Sequence, residues 1–382
     1  MTLPEAFSHR SPAMRLVLRE GAASDLRAEI TGLGIAHPMV LAGARSQRSG
    51  LFATALASLG DMPFEWAEAV PAHSSVDLVE RLAAQAAAAG VDGFVAIGGG
   101  SASDTAKAVA LLLAEGGRLA DHAVRFTPPR TLVVPPLRAA KLPIVSLPGT
   151  ASGAEVTASL GVRDADGAKL LFTDLQLAAR LVLIDPLANL EVPAALMCAT
   201  GMNGLAHCIE GLYSSERSPL AETLALDAID RFARALPAVH AAPRDPRARA
   251  DLLYAAHLSG LVLLNARTCL HHAVCHAIGS VTGVGHGDAN AVMLPHAVAF
   301  NAPAAAPALA RAAAALGTTD LVEGLRALQA AIGVPTRLRD IGVPAESLDR
   351  IAAKTLRERG LYYNPRPVAD ASEVRALLQA AF

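Results

Sequence analysis

The sequence predicts two domains, an α/β domain built on a parallel sheet followed by an all-α domain. Up to about residue 185, short apolar runs alternate with helix-like stretches, which is typical of βα units and a parallel sheet. After "IDPLANLEVP" the short runs stop, and long alanine- and leucine-rich stretches, broken at Pro and Gly, continue to the end. Because 382 residues can form two substantial cores, we place the domains at 1–184 and 185–382.

The predicted elements follow one another in a regular order. "MRLVLREGAASDLRAEITGLG" predicts a strand, a turn and a helix, and "HPMVLAG" predicts the next strand. "SVDLVERLAAQAAAAG" predicts a helix leading into the strand "GFVAIGGG", which the helix "ASDTAKAVALLLAE" follows. "LPIVSLPGT" and "LVLIDP" predict two more buried strands. In the second domain, the Ala/Pro stretch "NAPAAAPALARAAAALG" predicts a loop entering a helix.

Composition excludes several classes of function. The chain is 52% hydrophobic, but it has no uninterrupted apolar run of the roughly 18 residues that a membrane span needs. Its start, "MTLPEAFSHRSPAMRL", lacks the pattern of a signal peptide, and a net charge of −2 gives no basis for binding nucleic acid or a membrane surface. No CxxC pair is present, so we expect reduced, buried thiols in a cytoplasmic protein that acts on a small molecule.

The first motif, "FVAIGGGSASDTAK", joins a buried strand to a helix. Its three glycines let the backbone turn tightly and approach a ligand: Gly98, Gly99 and Gly100. Ser101 or Ser103 is expected to cap the helix, whose free N–H groups favour a phosphate. Lys107, one turn into the helix, is expected to support an anion or pair with Asp104. A plain structural turn explains the glycines equally well, and the motif is not the GxGxxG fingerprint.

The second motif, "LPGTASGAEVTASLGV", follows another predicted strand. Thr150, Ser152 and Thr157 offer hydroxyls, and the backbone offers amides, to a sugar–phosphate or a nicotinamide amide. A polar loop without a ligand is equally common in isolation. Two such loops after two strands of one parallel sheet favour a ligand site, because ligands bind at the carboxyl ends of those strands.

The third group of residues lies on two predicted helices. In "ATGMNGLAHCIEGLYSS", Asn203 and His207 share a helix face at i and i+4, and Glu210 lies one turn further on. The segment "HHAVCHAIGSVTGVGHGDANAVMLPH" repeats this spacing and adds a histidine on a following loop: His272, His276 and His286. Each histidine alone is more often structural. Two paired polar faces and a loop histidine together favour a metal site or proton chemistry.

Together these motifs resemble those of the iron-containing alcohol dehydrogenase superfamily, from about residue 15 to "YYNPRPV". The resemblance implies a Rossmann-like dinucleotide-binding domain in the dehydroquinate synthase-like arrangement, an NADH or NADPH cofactor and, by analogy, a homodimer. The residues then expected to contact the cofactor are Gly98, Gly99, Gly100, Ser101, Asp104, Thr150, Ser152 and Lys169. Lys169 is equally well explained as a solvated lysine. NAD or NADP specificity stays open, although Arg45 and Arg48 in "VLAGARSQRSG" suit a 2′-phosphate.

Relatives in that superfamily hold a divalent metal between one aspartate and three histidines. The histidines correspond to His207, His272 and His286, and Asn203 occupies the aspartate position. A neutral amide brings no charge to a dication, and although three histidines can still hold zinc, we expect no metal. "TGMN", the double histidine and "NPRPV" resemble the maleylacetate reductase branch, which works without metal.

That branch implies hydride transfer to a conjugated oxo substrate. His276 is then the expected proton donor, His207, His272 and His286 the partners of the developing oxyanion, and Asn203 an orienting group. The branch carries a lysine after the double histidine, where this chain has Ala273 and Val274. This difference predicts a substrate less acidic than maleylacetate, unless Arg267 supplies the missing positive charge. The plainer interpretation of Arg267 is an exposed arginine. The branch also has small residues at the position of Asp104. Two alternatives remain, a metal-dependent alcohol dehydrogenase and a non-catalytic nucleotide-binding relative.

Overall fold

A six-stranded parallel sheet forms the centre of the first half of the molecule, in a computed structural model that describes residues 6–72, 74–127, 131–167 and 169–382. The strands lie side by side in the order β1-β10-β7-β4-β2-β3. Their bounds are β1 Arg15–Leu18, β2 Pro38–Ala42, β3 Glu65–Trp66, β4 Gly93–Gly98, β7 Ile144–Pro148 and β10 Leu181–Ile184. Two antiparallel hairpins flank the sheet: β5 Arg125–Thr127 with β6 Thr131–Val133, and β8 Ser159–Arg163 with β9 Lys169–Thr173.

Helices cover both faces of this sheet and make up the rest of the chain. The first four belong to the sheet: α1 Leu26–Gly32, α2 Gly50–Leu59, α3 Val76–Ala89 and α4 Gly100–Glu115. The others follow the last strand: α5 Ala194–Tyr213, α6 Pro219–Ala241, α7 Pro246–Ala266, α8 Leu270–Thr282, α9 His286–Leu316, α10 Leu321–Ile332, α11 Leu348–Thr355 and α12 Ala371–Ala380. This confirms the predicted fold class, a parallel sheet with helices followed by an all-helical region.

The central strands are apolar throughout because both of their faces are buried. In β4, Phe94 packs on the side of α3 and α4, whereas Val95 packs on the side of α1 and α2. Successive side chains of a strand point to opposite faces, so a strand covered on both sides must be hydrophobic at every position. The run "GFVAIG" meets this requirement between its two glycines and places Gly98 at the carboxyl end of the strand.

The helix α5 is the centre of the helical region. From Met197 onward nearly every residue of it is buried, and α6, α7 and α9 pack around it. A helix that is hydrophobic on all sides belongs inside a protein. The polar residues it carries, Asn203, His207 and Glu210, are therefore buried as well.

One expectation about local structure was wrong, and one hairpin was not foreseen. The stretch 301–317 is not a loop, because α9 continues through it to Leu316 with Pro303 and Pro307 inside. These prolines share the exposed side of the helix, where the carbonyl groups they leave unpaired can bond to water. The hairpin of β8 and β9 was not predicted, although the alternating burial of β8 is the pattern of a half-covered strand.

One helical stretch, His286–Ile332, is long and apolar enough to cross a membrane by length and composition alone. Half of the most apolar 18-residue segment of this stretch is buried inside the protein. Core helices pass the same test, so this stretch is weak evidence for a membrane span.

Candidate active site

The loops after β4 and β7 meet at the carboxyl end of the sheet. Gly98 ends β4 with φ +124°, and a Cβ atom there would overlap the Ser46 hydroxyl. A Cβ on Gly149 would lie 3.2 Å from the Gly98 Cα. Only glycine fits both constraints without strain, so the two loops present a surface of bare backbone at the carboxyl ends of the strands, where ligands bind in such sheets.

The helix α4 begins directly at this surface. Its N-cap is Gly99, with no side-chain cap, so the expected capping by Ser101 or Ser103 is wrong. Both serines lie inside the helix, and Ser101 instead donates its hydroxyl proton to the Ala72 carbonyl. Because no side chain occupies the amino end of α4, its first N–H groups stay available to a phosphate.

Lys107 supports the neighbouring loop instead of an anion. Its Nζ is buried and donates hydrogen bonds to the carbonyls of Ala154 at 2.6 Å and Thr157 at 2.8 Å. Asp104 lies close enough for its charge to act on Lys107, but its Oδ2 accepts from the Gly161 N–H at 3.3 Å. Burial raises the pKa of Asp104, and the two lysines near it, Lys107 and Lys169, oppose the shift.

The other predicted cofactor residues border the same surface. A Cβ on Gly99 would lie 3.3 Å from Thr150 Cγ2, and a Cβ on Gly100 would lie 3.8 Å from Ser152 Oγ. Lys169, on β9, crosses over Gly161. Its charge acts on Asp104 and on two histidines of the site, His272 and His286. Lys169 is therefore near enough to both Asp104 and the histidines for its charge to act on them.

Four histidines from α5, α8 and α9 form one cluster. The ring centroids of His207 and His272 are 4.6 Å apart, those of His272 and His286 are 6.0 Å apart, and those of His276 and His286 are 5.4 Å apart. The structure thus brings together the residues predicted from their spacing. His286 is the first residue of α9 and not a loop residue as expected.

Glu210 orients His272. Its Oε2 lies 2.6 Å from His272 Nδ1, and its Oε1 accepts from the His271 backbone N–H at 2.8 Å. Burial raises the pKa of Glu210, while nearby backbone N–H groups, including those of His271 and His272, oppose the shift. With a proton on Nδ1 shared with this carboxylate, the Nε2 atom of His272 carries a lone pair.

That lone pair faces Asn203. The Asn203 Oδ1 lies 3.1 Å from His272 Nε2. A half rotation of the amide exchanges Oδ1 and Nδ2, so that an N–H group faces the lone pair and the hydrogen-bond network closes. An aspartate at this position has no N–H to offer, so it would need a cation between itself and His272.

The three histidines at the metal positions of relatives do not present a converging ligand set here. The rings of His207 and His272 are stacked, with 17° between their planes. Since the lone pairs of an imidazole lie in its plane, two stacked rings direct their lone pairs within separate, nearly parallel planes. Glu210, His271 and His272 are near enough to share an ion, but hydrogen bonds with each other and with the Asn290 carbonyl already account for these contacts.

Burial keeps three histidines of the cluster uncharged. It holds the pKa values of His207, His272 and His286 well below 6.5, and the neighbouring imidazoles add to the shift. Each ring therefore carries one proton at neutral pH and can both donate and accept. The Nδ1 atom of His207 is buried and has no hydrogen-bond partner among the residues described, so it is available to a bound molecule.

One residue of this site was not predicted. Glu358, which follows α11, places its Oε2 3.5 Å from His276 Nδ1. Nothing in the sequence around it distinguishes it from a surface glutamate, since the contact joins residues that are far apart in the chain.

Arg267 differs from the expected exposed arginine. It is half-buried, and it has φ +66° and ψ 163°, a region in which residues other than glycine are strained. Burial lowers its pKa, and the charge of Arg359 adds to that shift. No structural contact links Arg267 to the histidines in the part of the chain described.

Comparison with known proteins shows the family of this chain. Residues 13–186 match the iron-containing alcohol dehydrogenase family, and residues 197–382 match the C-terminal part of the Fe-containing alcohol dehydrogenase family. The chain is 32% identical to the maleylacetate reductase of Sphingobium indicum over 366 residues, 96% of this chain and 95% of the relative.

Solved structures give the same result. A maleylacetate reductase from Agrobacterium tumefaciens superimposes with a TM-score of 0.85 at 30% identity and covers 99% of both chains. An iron-containing alcohol dehydrogenase from Corynebacterium glutamicum superimposes with a TM-score of 0.86 at 32% identity and covers 99% of this chain and 97% of its own.

Proposed function

The chain belongs to the iron-containing alcohol dehydrogenase family, in its maleylacetate reductase-like branch, and on that premise we propose that it reduces a conjugated oxo compound, an enone or an oxo acid, without a metal. Membership makes it an NAD(P)-dependent oxidoreductase. The observation that carries the finer proposal is the 3.1 Å contact of Asn203 Oδ1 with His272 Nε2. An amide there completes the hydrogen bonds of His272 with no cation, whereas a carboxylate would require one.

NADH or NADPH, when bound, supplies the hydride to the electron-poor alkene carbon of the substrate. The chain contributes the bare backbone at Gly98 and Gly149 and the uncapped amino end of α4 to the nucleotide phosphates. The hydroxyls of Thr150 and Ser152 lie beside this surface. We assign Lys169, whose charge acts on both Asp104 and the histidines, to the nicotinamide end of the cofactor.

As hydride reaches the substrate, negative charge develops on the conjugated carbonyl oxygen. His207 and His286 are neutral imidazoles that can donate to this oxyanion, and the unpartnered Nδ1 of His207 supports that role. With the Asn203 amide turned so that its nitrogen faces His272 Nε2, His272 accepts from one N–H of Asn203, and the second N–H of the amide is left for the substrate. His276 then donates a proton to the enolate carbon, and the saturated oxo compound is formed.

The substrate we propose is less acidic than maleylacetate. Ala273 and Val274 stand after the double histidine and are buried, so this part of α8 offers no cation to a second carboxylate. Lys169 is the one lysine whose charge acts on the histidines, and the cofactor competes for it. A substrate with a single carboxylate, or none, fits such a site better than a dianion.

Metal content and reduction of maleylacetate, measured on the same preparation, test this proposal. Iron and zinc are determined by elemental analysis, and oxidation of NADH and NADPH is followed with maleylacetate and with uncharged enones, before and after chelation. We expect fewer than roughly one metal ion per ten chains, which is no more than non-specific binding. We also expect the rate of NADH or NADPH oxidation to be the same before and after chelation. Stoichiometric metal with activity lost on chelation would contradict the proposal and support a metal-dependent alcohol dehydrogenase, with His207, His272 and His286 as ligands.

A further inference from the structure

We propose that Glu358 is the positioning residue that sets the tautomer and orientation of His276. The inference rests on the proposed function, because it concerns the histidine assigned there as proton donor. The Oε2 atom of Glu358 lies 3.5 Å from Nδ1 of His276. Carboxylates in this relation to an imidazole hold its proton on the nearer nitrogen, so the other nitrogen faces the reaction.

The segment that carries Glu358 is fixed against the helix that carries His276. The Glu358 N–H donates to the Thr355 carbonyl at 2.9 Å, which continues the last turn of α11. Two residues further on, a Cβ on Gly360 would lie 2.7 Å from the Cys269 carbonyl, and Cys269 Sγ lies 3.3 Å from the Tyr363 carbonyl. The backbone on both sides of Glu358 is therefore held at the amino end of α8.

His276 is constrained on one face and one edge. Its ring stacks on His286 with 24° between their planes, and its Nδ1 edge points to Glu358. The side chains of His276 and Glu358 are 25% and 23% exposed, so water still reaches the pair. A separation of 3.5 Å is long for a hydrogen bond, and such contacts in catalytic sites commonly tighten when the substrate closes the cleft.

The surroundings of Glu358 keep it an anion. Its pKa is lowered by the contact with His276 and by the charges of Lys169 and Lys354, against the opposing effect of burial. A carboxylate can accept from Nδ1–H of His276 and stabilise the positive ring before its proton leaves from Nε2. A merely structural ion pair between half-exposed groups would contribute little, so the two roles predict different kinetics.

A double-mutant cycle tests the inference. The variants are Glu358→Ala, Glu358→Gln and His276→Ala, the double variant Glu358→Ala/His276→Ala, and Glu346→Ala as control, a glutamate that is exposed and lies in the same region of the chain. For each we measure kcat and KM with a reducible enone, KM for the nucleotide, and thermal unfolding to confirm that the variant is folded.

We expect Glu358→Ala to lower kcat roughly 10- to 100-fold, the usual effect of removing such a partner, with KM for the nucleotide unchanged. Glu358→Gln should recover part of this loss, because its amide oxygen still accepts from Nδ1–H. In the His276→Ala background, Glu358→Ala should have no further effect, since Glu358 acts through that ring. Glu346→Ala should match the unmodified protein.

Three outcomes would overturn the inference: an unchanged kcat in both Glu358 variants, a loss in KM alone, or losses that multiply in the double variant. If His276→Ala itself keeps the full kcat, the proposed proton donor is wrong. If His276→Ala loses activity and Glu358→Ala does not, the proposed function stands and only the positioning role of Glu358 fails.

Discussion

Replacing Asn203 with aspartate should convert the histidine cluster into a metal site. The new carboxylate would face the His272 Nε2 lone pair at about the present 3.1 Å, and two acceptors in that position need a cation between them. A unit charge and a dication about 4 Å apart attract by about 8 kcal/mol at an effective dielectric constant of 20. Burying the carboxylate costs several kcal/mol, so a net gain of about 3 to 4 kcal/mol remains.

That gain corresponds to zinc binding roughly 100- to 1000-fold tighter than in the unmodified protein. Zinc affinity is measured by competition with a chromophoric chelator, and the zinc-dependent shift in melting temperature is measured beside it. Without metal, Asn203→Asp should be less stable by about 1 to 3 kcal/mol, because a buried acceptor loses its donor. Asn265→Asp, a buried asparagine away from the histidines, is the control and should gain no zinc affinity.

Equal zinc affinities of Asn203→Asp and the unmodified protein would refute the statement that the residue at position 203 decides metal binding. Equal and weak affinities would mean that the histidines cannot turn toward a common ion even with a carboxylate present. Equal and tight affinities would mean that Asn203 already serves as a ligand.

Other perturbations test separate parts of the structure. Gly98→Ala should weaken nucleotide binding at least roughly tenfold, because its Cβ would overlap Ser46 at a positive φ. The control is Gly342→Ala, which also has a positive φ but lies in open space. It should cost about 1 kcal/mol of stability and leave nucleotide binding unchanged. Lys107→Met should lower the free energy of unfolding by about 3 kcal/mol in urea titrations, because it removes a buried cation from its hydrogen-bond acceptors. Burial lowers the pKa of His257 to about 4, so the unfolded chain binds its proton first as pH falls below 6.5; stability should decrease by about 2 kcal/mol between pH 7 and pH 5 from this residue. His257→Gln should remove that part of the decrease, and an identical pH dependence in both proteins would contradict it.

The sheet could be predicted from sequence because its strands are buried on both faces and are therefore apolar at every position. Short runs such as "GFVAIG" and "LVLI" stand out between alanine-rich helices. The continuation of α9 through Pro303 and Pro307 could not be predicted from local rules, since proline normally ends a helix. The two prolines are tolerated because they lie on the exposed side, while Asn301, Ala305 and Leu309 bury the opposite side, and that orientation is a property of the tertiary structure.

In the histidine site as well, local spacing could be predicted from sequence and tertiary contacts could not. The i, i+4 spacing placed Asn203 with His207 on one helix face, and His272 with His276 on another, because helix geometry is local. That the two faces meet was inferred from resemblance and not from spacing. The contact of Glu358 with His276 carries no sequence signal, since a single glutamate more than eighty residues away looks like any charged surface residue.

A metal site and an oxyanion site place opposite demands on the same imidazoles. A metal needs lone pairs that converge on it, whereas an oxyanion needs N–H groups that converge on it. With the proton of His272 on Nδ1, toward Glu210 at 2.6 Å, Nε2 presents a lone pair and cannot itself donate to the substrate. With its nitrogen turned toward that lone pair, the Asn203 amide uses one N–H to satisfy it and retains a second N–H as a donor. One neutral side chain would then replace an acceptor directed at a cation by a donor directed at an anion, which is the change that the proposed metal-free reduction requires.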